Sequence, residues 1–194
     1  MKSIDLRRDE ALSQQPQMAI VGRRIGQPLV RLYINHRTEE RTDIATDEEQ
    51  EPRTYTVHVA DYLERISTAT DALSVAREAL AEAILRHDSS PAVNSFSLKG
   101  TSMWLDKATR TGLLMRLDAE EQAGNTSTTL WYDGKGYTLS PADARRMLMQ
   151  LELYASQCYD RTQAHLSAIA QMESVEQILG YDYTAGYPER LEFE

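Results

Sequence analysis

Cys158 and His165 come nearest to a chemical pair in this sequence by type and spacing. On one helix they share a face, but seven residues is two turns, about 10 Å along the axis. A Cys–His nucleophile needs direct contact between the two groups. The pattern therefore reads as a structural cysteine and histidine on a packed face. His36 and His58 fall on two alternating runs that are expected to pair, where they could meet. Without a carboxylate or cysteine in the same register they are a weak metal signal. His87-Asp88-Ser89 holds the residue types of a catalytic triad, yet consecutive residues at a helix end cannot adopt triad geometry. Gly134-Lys135-Gly136 lacks the spacing and the Ser/Thr of a phosphate loop. No catalytic residue, cofactor or metal ligand is expected, and the protein is expected not to be an enzyme; a small hydrolase is the remote alternative.

The bulk properties narrow the partners. The chain has 194 residues, a single cysteine and a net charge of -9. One cysteine excludes an internal disulfide framework and a multi-cysteine zinc site. The acidic balance disfavours general attraction to nucleic acid or to an anionic membrane. No apolar run approaches the ~20 residues of a membrane helix, and no secretory leader is expected. Ten tyrosines dominate the aromatic share, which suits half-buried surfaces and contacts.

The elements that must position these residues fall in two halves. Residues 1–29 read as an arm and not as a packed element. Residues 1–37 carry a net +4, with Arg23 and Arg24 as candidate interface residues. Leu29 to His36 and Tyr55 to Val59 alternate with period two and are expected to pair as half-buried strands. Between them, residues 39–51 carry a net −6, including Glu48 and Glu49. That run is either a solvated loop or a surface that docks on the basic arm of a neighbouring copy. Thr70 to His87 has a helical stripe of Leu73, Ala76, Leu80 and Ile84, stopped by Asp88-Ser89-Ser90-Pro91. The expected organisation is an arm and β-hairpin over 1–69, a linking helix over 70–90, an α+β domain over 91–188 and an acidic tail over 189–194.

Within the third segment, Val93 to Leu98 and Met103 to Leu105 read as short strands, with Trp104 as an anchor. Asp106 caps a helix buried through Leu113, Leu114 and Leu117. Leu130-Trp131-Tyr132, then Asp133-Gly134-Lys135-Gly136, then Tyr137-Thr138-Leu139 form a hairpin signal, because glycine accepts the positive φ of a tight turn. Trp131 and Tyr137 are expected to anchor this hairpin on the next element; Trp131→Ala would then cost about 3–5 kcal/mol, whereas no change would put the register off by one. That element is a long helix from Pro141 to Met172, capped by Ser140 and buried through Leu148, Leu151, Ala155, Cys158 and Ile169. Ser174 to Gln177 has the form of a capping box, and Gly180 stops the last helix. The fold class is α+β, an N-terminal antiparallel hairpin region followed by a small antiparallel sheet packed on a long helix with shorter helices. Tyr181, Tyr183 and Tyr187 either fold back on the hairpin and long helix or cross to a neighbouring subunit as anchors.

The Trp104 strand, the Trp131…Asp133-Gly134…Thr138-Leu139 hairpin, Ala164-His165 on the long helix and the closing Asp182-Tyr183-Thr184-Ala185-Gly186-Tyr187-Pro188 occur in an order and spacing that resembles a known family. It is that of the phage and prophage tail-associated proteins grouped as domain of unknown function 4376 (DUF4376). The resemblance covers roughly Val93 to Pro188. It implies a bacteriophage structural protein of the virion or tail, non-catalytic, working through contacts with other tail proteins and with copies of itself. The implied location is the virion tail, or the bacterial host cytoplasm during assembly. An assembly chaperone or adaptor for the tail fibre, absent from the mature particle, is the alternative. The resemblance brings no catalytic residues.

Overall fold

The computed structural model describes residues 2–6, 17–43 and 53–194. The chain is α+β and divides into two compact units, one of residues 1–80 with 173–180, the other of residues 81–172 with 181–194.

The first unit is built on a four-stranded antiparallel sheet in the order β1-β4-β3-β2. Its strands are β1 (Lys2–Asp5), β2 (Met18–Arg24), β3 (Gln27–Asp43) and β4 (Arg53–Ile66). Alternation makes the inner face: Val30 and Leu32 on β3 and Val57 and Val59 on β4 are buried. The two alternating runs do pair, but over a much longer ribbon than period two alone suggests, from Leu29↔Ile66 to Asp43↔Arg53. The arm expected over residues 1–29 is corrected by β1 and β2, which extend the sheet on both sides.

A bulge between Ile34 and Arg37 bends β3, with Asn35 at φ 52. Asp61 holds it in place. Its carboxylate accepts from the Asn35 amide at 3.0 Å, the Ser3 hydroxyl at 2.7 Å and the Arg37 guanidinium at 3.1 Å. These hydrogen bonds, Asn35's first, pull the Asp61 pKa down to about 2. One side chain thus ties β1 to the bulged strand.

At the other end of β3 the link to β2 is a two-residue turn, with Ile25 at φ 51 and Gly26 at φ 78. Glycine takes this geometry freely. A β-branched residue does so at a cost of about 1–2 kcal/mol. Ile25 is nevertheless 94% exposed, so no burial in this unit offsets the strain. The acidic run expected as a loop begins inside β3; Glu48 and Glu49 lie outside the described residues.

Helix α1 (Ala72–Asp88) starts at Asp71, whose carboxylate accepts the Ser74 N–H, and its residues divide between the two units. The first unit also takes α4 (Val175–Leu179), where Ser174 and Gln177 make the reciprocal bonds of a capping box and Ile178 is buried.

The second unit holds β5 (Phe96–Leu98), β6 (Thr101–Met103), α2 (Lys107–Gln122), β7 (Thr128–Tyr132), β8 (Lys135–Leu139), α3 (Pro141–Ala170) and β9 (Glu192–Phe193). The end of the chain read as an acidic tail contributes β9, which pairs parallel with β5. The core gathers Phe96, Leu98 and Met103 with Leu117, Leu130 and Tyr137, and with Leu148 and Leu151 of α3. A buried Arg110 fastens α2 to α3, its guanidinium donating to Glu152 at 2.9 Å and to the Leu105 carbonyl at 2.6 Å. Ser140 caps α3 by accepting the Asp143 N–H at 3.1 Å, with Pro141 in the first turn. Ser140→Ala should lower stability by about 0.5–2 kcal/mol in urea denaturation; no loss would mean another acceptor takes that N–H.

The hairpin β7–β8 forms around Asp133 (φ 48) and Gly134 (φ 72) as the turn chemistry requires. Its register pairs Leu130 with Tyr137 and Trp131 with Gly136. Leu130 and Tyr137 face the core, so Trp131 faces out and is 68% exposed. The expectation that Trp131 anchors the hairpin is thereby corrected by one position; Tyr137 does so. The indole lies over Gly136, where an added Cβ would stand 3.3 Å from the ring. Trp131→Ala should change stability by only about 1 kcal/mol or less in the same assay, and a larger loss would show the ring to be covered.

Candidate functional site

The second half of α3 presents Tyr154, Cys158, Thr162, His165 and Ile169 along one buried stripe. Residues three and four apart share a helix face, so this follows from spacing. The segment 181–188 lies along the stripe and makes a closed set of bonds with it.

His165 is the centre and is wholly buried. Its Nδ1 is 2.6 Å from the Tyr181 hydroxyl and its Nε2 is 3.1 Å from the Ala185 carbonyl. A carbonyl can only accept, so Nε2 carries the proton. In the neutral ring, the form that burial favours, Nδ1 accepts from Tyr181. Burial, reinforced by the nearby Arg161 charge, pushes the His165 pKa below the usual 6.5. Arg161 donates from Nε to the same Ala185 carbonyl at 2.9 Å. Its guanidinium fills the space beside Gly186, where a Cβ would sit 2.5 Å away, and Gly186 has φ 80. The positive φ there favours glycine.

Tyr187 stacks obliquely on His165 with ring centroids 5.6 Å apart, and its hydroxyl lies 2.8 Å from that of Thr162. Thr162 donates to Asp88 at 2.7 Å, so Tyr187 donates to Thr162 in a short relay of hydroxyls. His87 meets the edges of Tyr183 and Tyr187 at 5.8 and 5.2 Å. Asp182 folds the loop between them by accepting from the Thr184 N–H and hydroxyl, which holds its carboxyl below the usual range. Further along α3, Tyr154 donates to the Val93 carbonyl at 2.7 Å and burial pushes its pKa up to about 12. Half-buried Trp104 packs edge-on against Tyr154, so it is an anchor, though it lies just beyond β6.

The chemistry available here is that of a clasp. Burial raises the Cys158 thiol pKa, the reverse of what a nucleophile needs. His165 spends both nitrogens on the tail. Among the described residues no group of three His, Cys, Asp or Glu could hold a metal ion. His36 and His58 do not meet: the bulge shifts the register, and His58 stands opposite Thr38. His36 keeps both ring nitrogens buried and unpartnered.

Cys158 and His165 thus share a packed face, and Leu148 and Leu151 lie in the core, as the spacing indicated. Tyr181, Tyr183 and Tyr187 turn back onto their own chain. Arg23 and Arg24 are exposed at the end of β2. Arg161, Thr162, Asp88 and Gly186 were missed as clasp residues. Thr162 had a usable signal, being four residues from Cys158 and three from His165 on the same helix face.

No family model matches the chain, and no curated protein or solved structure matches it either. None of the helices among the described residues is long and apolar enough to cross a membrane.

Proposed function

We propose that this chain is a structural, tail-associated protein of a bacteriophage, in keeping with its resemblance to DUF4376, and that it acts through protein contacts and without catalysis. The supporting observation is the clasp. Ala164-His165 and the closing Asp182 to Pro188, two separate parts of the resemblance, meet at one buried histidine. The arrangement holds a shape, because both imidazole nitrogens and the Tyr181 hydroxyl are consumed in binding the 181–188 segment. The chain's partners are other tail proteins and its own copies, with neither nucleic acid nor membrane among them; its place is the virion tail, or the host cytoplasm during assembly.

Mass spectrometry of purified particles from cells producing the chain tests this directly. Stoichiometric presence in the tail fraction is expected. Presence in assembling cells but absence from mature particles identifies an assembly chaperone or adaptor instead, and absence from both overturns the viral reading.

A further inference from the structure

The turn between β2 and β3 is the least economical feature of the first unit. Ile25 stands at φ 51, where asparagine, aspartate or glycine would be relaxed, and it is 94% exposed. The two residues before it, Arg23 and Arg24, are exposed and make no ion pair among the described residues. A strained, solvated isoleucine beside two unpaired cations does nothing for the fold of its own unit. Strain of this kind persists where a contact made elsewhere requires it. The neighbouring edge of β2 is an unsuitable alternative docking element, because a bulge between Ile20 and Gly22 interrupts its ladder, a device that blocks sheet extension.

The second unit carries a surface of the opposite pattern. An open groove of about 640 Å³ is floored by Leu98, Leu139, Met147 and Phe193. Glu192 and Glu194 flank Phe193, are exposed and have no ion-pair partner among the described residues. Of the cations on its rim, Arg146 is neutralised by Asp143, which leaves Lys99 as the only one opposing the two glutamates. One apolar side chain preceded by two arginines is thus complementary in kind to one apolar ring set between two glutamates. Arginine is also the cation best suited to paired carboxylates.

We propose that the chain associates head to tail with a second copy of itself, the Arg23-Arg24-Ile25 turn of one copy seated in the Phe193 groove of the next. Ile25 packs on Phe193, and Arg23 and Arg24 pair with Glu192 and Glu194. The two surfaces differ, so the contact is heterologous and continues into a ring or a filament. This inference rests on the reading that the chain works through protein contacts, but its test is independent of the particle.

Sedimentation velocity of the full chain over a range of concentrations should show species above the monomer that weaken with salt. Ile25→Asn should weaken association at least about tenfold, as loss of an interface anchor does, while the melting temperature stays level or rises through relief of the turn. A merely structural residue would not separate those two readouts. Glu192→Arg with Glu194→Arg, both exposed, should abolish association as well. Mixing that variant with Ile25→Asn leaves one working turn and one working groove, so the mixture should form a species of two chains and no larger. A wild-type chain that stays monomeric, an Ile25→Asn chain that associates normally, or a mixture that stays monomeric overturns the proposal. So does a monomeric chain whose incorporation into particles depends on Ile25, which would assign the turn to a different acidic partner.

Discussion

Phe96→Ala should lower the unfolding free energy of the second unit by about 3–5 kcal/mol, the size of a large-to-small change at a site that cannot collapse. Phe96 is fully buried, and its ring meets the edge of Phe193 at 5.9 Å. It sits on β5, the central strand between β6 and β9, antiparallel to one and parallel to the other. Two three-residue strands and one of two residues contribute few ladder bonds, so the ring largely holds this small sheet in place. Domains of this size are stable by about 5–15 kcal/mol, and the loss is a large share of that. Urea denaturation should show a lower midpoint at an unchanged slope. Phe96→Leu should recover most of the loss, and a change below about 1 kcal/mol for alanine would show that the site closes over the gap.

The parts of this fold that could be read from the sequence are those fixed by local chemistry. Asp133-Gly134 makes its turn, Ser140 caps α3, and Ser174 with Gln177 closes the capping box, because each of these bonds spans only a few residues. The buried stripe of α3 followed from its 3.6-residue period. The errors came where partners are distant or the period breaks. β1 is four residues long and pairs with residues 59–62, so nothing local announces it. β2 reads Met-Ala-Ile-Val-Gly-Arg-Arg, and its bulge destroys the alternation that identifies a strand. The orientation of Trp131 was recoverable. A two-residue turn at Asp133-Gly134 sets Leu130 opposite Tyr137 and Trp131 opposite Gly136. Two bulky side chains on one face and a ring over a glycine on the other point the first pair inward. The clasp was half legible: Cys158 and His165 stood on one face, but that Tyr181 and Ala185 take both imidazole nitrogens is a contact between residues 16 and 20 positions apart that no spacing rule supplies.

His165→Ala is the second change with a large expected effect. It removes a ring from a site with no exposure and strands two groups, the Tyr181 hydroxyl and one lone pair of the Ala185 carbonyl. The gap and the unpaired hydroxyl together should cost about 3–5 kcal/mol. His165→Gln offers one donor and one acceptor and should restore part of that. The two variants separate the lost volume from the lost bonds. A pH series then isolates the imidazole itself. Its folded pKa lies below the unfolded value of 6.5, because burial penalises the charged ring. The unfolded chain therefore binds the proton first as pH falls. The contribution is fully present above the unfolded pKa and drains away as pH drops below it toward the folded value. Protonation would also turn Nδ1 from acceptor to donor and force the Tyr181 hydroxyl to reverse. Wild type should thus lose stability between neutral and mildly acidic pH, and His165→Gln should lose less over the same interval. Parallel curves for the two proteins would place the acid sensitivity outside the clasp and remove the neutral, doubly bonded histidine from its centre.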